Sequence, residues 1–383
     1  MKALTAPLRE LAEFEEGQSL LKKEKASIGY TGCTDAQKLH LACGLSEDFL
    51  YKVIVTHSDL RAREIYEEYL FYDKSTVLYP AKDLIFYQAD IHGNQLVADR
   101  MKVLRKLIEG RPVTVVTTFA ALMSPQVPLE EIADAVIHID TDSAVDETEL
   151  AEQLSRMGYE KNWQVEAPGQ FSIRGGIIDV FDLTEENPYR IELWGEEVDS
   201  IRSFDLGSQR SVEKLSMVAI YPATEMVLDR RQKLDGLKRI ETEAKAFAAK
   251  LREGFHTEEA ARLTGQVREL SEQVRELSAA ANLESYIRYF YEDTVSFLRF
   301  FPDRYTCVFL DEPGRLKEQG QAVELEFRES MSHRLEKGYI CRDRRIFCMA
   351  ASRRLPLWPG CARCCFLPWT PETLSSRLRG GLT

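Results

Sequence analysis

Residues 29–36 read Gly29-Tyr30-Thr31-Gly32-Cys33-Thr34-Asp35-Ala36. A short β-like lead-in, Ala26-Ser27-Ile28, precedes them, and a helical pattern through Lys38, Leu39 and Leu41 follows. A glycine-containing turn between strand and helix is the frame of a phosphate-binding loop, G-x-x-x-x-G-K-[ST]. In that loop glycines let backbone N–H groups curl around phosphates, the lysine neutralises them and the hydroxyl holds Mg²⁺. Here Thr34 stands at the second glycine, Asp35 at the lysine and Ala36 at the hydroxyl. An aspartate beside a polyphosphate repels it. The loop is therefore expected to hold no nucleotide, and on these residues alone an unrelated strand–turn–helix junction is the simpler account.

Outward from this loop, short β-like and longer helical runs alternate. Tyr51-Lys-Val-Ile-Val55 reads as a buried strand, and Ser58 or Asp59 is placed to cap a helix with Leu60, Ile65, Tyr69 and Leu70 on one side. Ser75–Tyr79 predicts a strand ended by Pro80, Leu96–Ile108 a helix, and Val113–Thr117 another strand. This alternation predicts an α/β fold with a parallel sheet covered on both faces. Far along the chain, Thr306-Cys-Val-Phe-Leu310 followed by Asp311-Glu312 returns to the same texture. It has the look of a strand ending in a Mg²⁺-holding acidic pair, here expected to be a vestige because the loop has lost its lysine and hydroxyl.

The texture between these two parts differs. Pro125 and Pro128 mark a boundary, and Asp146-x-x-Glu149 resembles a capping box opening a helix with Leu150, Leu154 and Met157 on one stripe. The β-like runs Gln170–Ile173, Gly176–Phe181, Tyr189–Trp194 and Val198–Phe204 follow, with short connections that suit antiparallel hairpins. Period-two alternation sends Tyr189, Ile191 and Leu193 to one face and Arg190, Glu192 and Trp194 to the other. Arg and Trp are enriched at interface hot spots. With Arg174, beside Gly175-Gly176, they form a candidate binding face. The alternative is that Trp194 folds over the sheet end while Arg190 pairs with Glu192 or Glu196. From Asp229 to about Ser285 the chain is charged and helix-forming, and the repeated Gln-Val-Arg-Glu-Leu-Ser at 266–271 and 273–278 suits a helical hairpin.

Charge and cysteine divide the 383 residues unevenly. Residues 341–383 hold eight Arg, no Lys, two acids and five of the eight cysteines, within a chain of formal charge −12. That total disfavours a broad, nonspecific grip on DNA. Cys361-x-x-Cys364 has zinc-ligand spacing, but no second well-spaced pair accompanies it and the histidines are scattered, so no metal site is expected. The tail looks instead like translation of a shifted reading frame. No run of about 18 apolar residues occurs, and Glu10, Glu13, Glu15 and Glu16 lie where a signal peptide carries its apolar core, so a cytoplasmic protein without a membrane span is expected.

Several of these segments carry a family resemblance: Gly29-Tyr-Thr-Gly-Cys33, Tyr79-Pro-Ala-Lys-Asp-Leu-Ile-Phe-Tyr87, Pro168-Gly-Gln-Phe-Ser-Ile-Arg-Gly-Gly-Ile-Ile-Asp-Val-Phe181, Pro188-Tyr-Arg-Ile-Glu-Leu-Trp194 and Glu197-Val-Asp-Ser-Ile-Arg-Ser-Phe-Asp205. Residues from about 5 to 340 resemble the amino-terminal module of bacterial transcription-repair coupling factor, itself similar to the repair helicase subunit UvrB. The resemblance implies a UvrB-like α/β domain with a degenerate P-loop in two sequence pieces, residues 1–128 and a second piece reached through a helical connection within 230–340. It also implies an inserted β-rich, UvrA-interacting domain at 129–229. The α/β part is then without ATPase competence or cofactor. Its vestigial loop is Gly29, Gly32, Asp35 and Ala36, and its vestigial acidic pair Asp311 and Glu312. UvrA contacts carry over to Arg174, Arg190 and Trp194. The full-length family protein also engages RNA polymerase and double-stranded DNA through domains expected to be missing here, with residues 341–383 an aberrant Arg- and Cys-rich tail whose deletion leaves UvrA binding intact. The competing expectation is an independent UvrB-like ATPase acting on damaged DNA.

Overall fold

A computed structural model describes residues 2–22, 27–82, 94–275, 283–339 and 362–367. Strands β1 (Ser27–Thr31), β2 (Tyr51–Thr56), β3 (Val77–Tyr79) and β4 (Val113–Thr118) alternate with helices Asp35–Leu45, Asp59–Tyr69 and Asn94–Ile108. Next come β5 (Pro125–Gln126), β6 (Ile137–Asp140), the helix Glu147–Arg156 and six further strands. These are β7 (Glu160–Lys161), β8 (Gln170–Arg174), β9 (Ile177–Val180), β10 (Tyr189–Trp194), β11 (Glu197–Phe204) and β12 (Ser211–Leu215). After β13 (Met217–Ile220), two long helices, Arg230–Glu253 and Thr257–Arg275, pack as a hairpin. The chain then adds β14 (Val295–Ser296), β15 (Thr306–Asp311), the helix Pro313–Glu336 and β16 (Ala362–Leu367).

The first sheet runs in the order β1-β16-β15-β2-β4-β3, and every pair in it is parallel. Its strands are almost wholly apolar because helices cover both faces: β2, β4 and β15 are buried nearly throughout. One face packs Val53, Val115 and Val308 against the Asn94–Ile108 helix and the helical hairpin, and the other packs Ile54, Val116 and Phe309 against helices that include Phe14, Leu39 and Ile65. The expected α/β fold is therefore present. Two details differ from the sequence pattern. Leu60, placed on the apolar stripe of its helix, is 72% exposed, whereas Ile65 and Tyr69 are buried. Pro125, read as a breaker, instead opens a two-residue strand that pairs with β14, which proline tolerates at a sheet edge.

A larger difference lies in the tail. Residues 341–383 suggested no element, yet β16 occupies the interior of the parallel sheet, between β1 and β15. Cys364 is fully buried there and Phe366 stacks on Phe309 at 6.1 Å. Six residues, Ala-Arg-Cys-Cys-Phe-Leu, are too few to stand out from their Arg-rich surroundings, and only the open slot in the sheet selects them. Cys341, Cys348 and Cys361 lie outside the described residues, as do residues 83–87 of the Tyr79–Tyr87 segment and 276–278 of the internal repeat.

The second sheet runs β12-β11-β10-β9-β8-β7 and is antiparallel except where β7 meets β8. Its inner face, with Phe171, Ile178, Val180, Ile191 and Ile201, packs on Leu150 and Leu154 and on the small β6–β13 pair. Asp146 caps the Glu147–Arg156 helix by accepting from the N–H groups of Thr148 and Glu149. A buried ion network then links the loop after β13 to the first sheet. Arg100, wholly buried, donates to Glu225 through Nε and Nη2 at 2.5 and 3.0 Å and lies over the Tyr79 ring, while Lys82 bridges Glu225 and Glu284.

This network and a second, half-buried acid make the fold acid-sensitive. Burial pushes Glu225 up, but Arg100 and Lys82 outweigh it and hold the carboxyl well below its ordinary 4.5. Burial likewise pushes Asp73 up, while hydrogen bonds from Thr114 and Ser75 and the Lys52 ammonium bring it down from 3.8 to about 2. A carboxyl depressed on folding contributes stability that is fully present above its unfolded pKa and is lost as pH falls through the folded one. The melting temperature is therefore expected to fall steadily between pH 4.5 and about 2, as followed by circular dichroism. A Glu225→Gln variant should start lower and fall less, and a flat profile in the parent chain would contradict the assignment.

Candidate functional site

The Gly29 loop and the Asp311–Glu312 pair meet at one end of the parallel sheet, joined by ion pairs from two helices. Thr34 caps the Asp35–Leu45 helix in a complete capping box: its Oγ1 accepts from Gln37 N–H at 3.4 Å, and its own N–H donates to the Gln37 side chain at 2.9 Å. The helix N-terminus, which in a working loop faces phosphate, is thus already satisfied from within the chain. Lys38, one turn along, points into the gap and is buried. Its Nζ lies 3.0 Å from Asp311, 3.4 Å from Glu312 and 3.2 Å from Asp35.

Arg61, from the next helix, closes the other side, at 2.9 Å from Asp35 and 3.4 Å from Asp311, and Thr56 donates to Asp311 at 3.2 Å. Burial works to lower the Lys38 pKa, but Asp311 and Asp35 outweigh it and keep the ammonium charged. Glu312 sits in the left-handed region at φ 54°, a costly conformation for a residue with a side chain. Two cations, Lys38 and Arg61, therefore balance the carboxylates of Asp35, Asp311 and Glu312 from within the chain. The contacts of Lys38 and Arg61 to Asp311 were not legible, because they join residues about 270 and 250 apart in sequence.

The face carrying Arg174, Arg190 and Trp194 is built on β8, β9 and β10. The alternation along β10 is as the sequence predicts: Tyr189 and Ile191 are buried, Arg190 and Glu192 half-buried, and Trp194 is 83% exposed. Register places Asp179 of β9 directly opposite Arg190, and opposite Ser172 of β8. Asp179 is almost wholly buried and joins the two arginines. Arg190 donates to it in a fork, Nε at 2.6 Å and Nη2 at 2.8 Å, and Arg174 reaches it through Nη2 at 3.1 Å.

Arg190 also lies over the Phe204 ring at 4.2 Å and donates to Gln209 at 3.0 Å. Its hydrogen bond to Asp179, reinforced by charge, raises its pKa further. Glu192 does not pair with Arg190. It accepts a fork from Arg202 at 2.7 and 2.8 Å and a bond from Ser200, which together lower its pKa. Trp194 does not fold over the sheet end; it stands free beside the Gly195 turn, where φ is 67°.

Asp179 is the residue the sequence reading missed. The signal was available: in Ile177-Ile-Asp-Val180 a carboxylate interrupts an apolar strand, and a buried carboxylate needs a cation. Among the described residues no group of three or more His, Cys, Asp or Glu side chains is arranged to hold a metal ion, and no helix is long and apolar enough to cross a membrane. Cys364, half of the zinc-like pair, is buried in β16 with its thiol pushed up by burial.

The two halves define a class: a UvrB-like α/β domain with ion pairs between its Gly29 loop and its Asp311–Glu312 pair, joined to a separate sheet domain with a charged, Trp-tipped face. Residues 137–226, from β6 through β13 and the following loop, match the UvrB interaction domain. The chain is 35% identical over 295 residues to the transcription-repair-coupling factor of Bacillus subtilis, which covers 76% of the chain and 25% of that protein. It is 30% identical over 239 residues to the coupling factor of Myxococcus xanthus, covering 61% of the chain and 19% of the relative. It is also 27% identical over 325 residues to UvrABC system protein B of Methanococcoides burtonii, covering 79% and 49%. The chain thus carries a UvrB interaction domain and is related to coupling factors along most of its length, in accord with an amino-terminal coupling-factor module. It spans between about a fifth and about half of these relatives.

Proposed function

We propose that this chain is the UvrA-recruiting part of a transcription-repair coupling factor and acts in transcription-coupled nucleotide excision repair. The observation that carries the reading is the outer face of the interaction domain. There Asp179 holds both Arg174 and Arg190, and Trp194, farther along the same strand as Arg190, is 83% exposed. A rigid arginine pair next to an exposed aromatic is the composition of an interface hot spot, and preorganisation by Asp179 lowers the entropy lost on docking. The matched UvrB interaction domain supports UvrA as the partner of this face. RNA polymerase and double-stranded DNA are the partners proposed for the whole coupling factor. In this reading the α/β part works as a support: its capping box and the Lys38 and Arg61 ion pairs speak against an independent UvrB-like ATPase.

Trp194 gives the cleanest test because it supports nothing else. Trp194→Ala should weaken UvrA binding by about 2 kcal/mol, roughly 30-fold in Kd, with the melting temperature unchanged. Calorimetric titration of purified UvrA into the parent and variant chains measures it. Equal affinities would remove Trp194 from the interface.

A further inference from the structure

A cavity of about 500 Å³ lies between the Glu147–Arg156 helix, the β7–β8 edge and the first turn of the Arg230–Glu253 helix. Its position is distinct from both places described above. Side chains on β8 alternate, so Ile173, which lines the cavity, points to the opposite side of the sheet from Arg174. The Gly29 corner belongs to the other sheet.

The lining has two parts. Ala151, Ile173 and Leu228 provide an apolar floor. Arg156, Lys161, Arg230 and Lys233 provide four cations, none of which forms an ion pair with any described residue. Two acids, Glu147 and Glu152, also line it; the Glu147 carboxylate accepts from the Gly176 N–H at 2.9 Å. Lys233 has its pKa lowered, first by burial and then by the Arg156 charge. Four cations against two carboxylates leave the lining with an excess of positive charge. In a chain of formal charge −12, an unpaired cation cluster around an apolar hollow is unusual. The size falls within the roughly 300–1,000 Å³ of small-ligand sites, which favour positions between structural units.

We infer that this cavity binds a small phosphate-bearing molecule of the nucleotide class, its phosphates on Arg156, Lys161, Arg230 and Lys233 and its base over Ile173 and Leu228. Arginine and lysine are the side chains that take phosphate oxygens, and a charge-assisted hydrogen bond is among the stronger polar contacts. The site needs no Mg²⁺, because side-chain cations supply the neutralising charge.

The experiment is a calorimetric titration of the full chain with ADP in buffer containing a Mg²⁺ chelator, repeated with adenosine, with inorganic pyrophosphate, and with ADP and Mg²⁺ in place of the chelator. ADP should bind more tightly than either fragment. Lys233→Glu and, separately, Arg156→Glu should each weaken ADP by about tenfold or more. Neither residue holds an ion pair in the fold, so both variants should melt with the parent. No ADP binding up to millimolar concentration, or binding unchanged in both variants, overturns the site. Equal affinity for ADP and pyrophosphate leaves the apolar floor unused and overturns the ligand class. Binding that requires Mg²⁺ and survives Lys233→Glu would place the nucleotide at the Gly29 corner, and would overturn this site and the closed-corner reading together. UvrA binding by the same preparation is independent of all these outcomes.

Discussion

A chain ending at Tyr339 should melt its α/β part far below the intact protein while binding UvrA as the intact protein does. The reason is β16. It pairs in parallel with β1 on one side and β15 on the other, over five residues each. Among the described residues β1 has no other strand partner. Without β16, the two neighbours face each other across a gap of two strand spacings, about 9.6 Å, too wide for any backbone hydrogen bond. Closing it requires β1 to move together with the Ala12–Leu21 helix that packs on it.

The packing loss adds to this. Phe366 lies between Phe309 and Tyr30, Cys364 is fully buried, and the Phe366 carbonyl accepts from the Glu312 N–H at 2.9 Å. Phe366→Ala alone should cost about 3–5 kcal/mol, and the truncation more than that. The interaction domain is spared, because β7 to β12 pair with no strand of the first sheet. Differential scanning calorimetry of the truncated chain should therefore separate an early transition from a later one, with UvrA affinity retained. A single transition at the parent temperature would mean that residues 362–367 contribute nothing to the sheet.

The contrast between β16 and β10 explains how much of this molecule can be read from its sequence. In β10 the period-two pattern Tyr-Arg-Ile-Glu-Leu-Trp is local, and one buried face is enough to decide which side chains turn outward. Arg190 and Trp194 were legible for that reason. The parallel sheet was legible from alternation, because its strands are apolar on both faces and its helices are capped by Thr34 and Ser58 within their own first turns. What was not legible depended on register between distant segments. Asp179 meets Arg190 only because β9 and β10 pair with those two residues opposite one another. Lys38 finds Asp311 only once β15 lies in the sheet beside β2, and the hydroxyl of Thr56 completes the contact. The cavity beside Lys233 likewise draws on two helices and two strands, no two of which suggest it alone.

Arg190→Ala is expected to damage two things at once, and separating them is the sharper test of the UvrA face. The guanidinium gives Asp179 a two-point fork, is itself largely buried and covers Phe204. Removing it leaves an almost wholly buried carboxylate with a single bond from Arg174, and breaking one partner of a buried pair typically costs about 3–5 kcal/mol. A lower melting temperature and a loss of UvrA binding exceeding that of Trp194→Ala should therefore appear together. On its own, that result does not distinguish an interface residue from a structural one. The double variant Arg190→Ala with Asp179→Ala does, because it removes the stranded charge and recovers part of the stability. Arg190 spends Nε and Nη2 on Asp179 and Gln209, while its Nη1 makes no hydrogen bond to a described residue and remains to meet a partner's acceptor. If Arg190 contacts UvrA through that group, the double variant regains stability but binds UvrA more weakly than Asp179→Ala alone, which frees Arg174 to the same extent. Arg190→Lys, which keeps the charge but loses the planar fork, then falls between the two. If the double variant binds UvrA like the parent chain, Arg190 serves the sheet alone, and the interface must be sought around Trp194 and Arg174 without it.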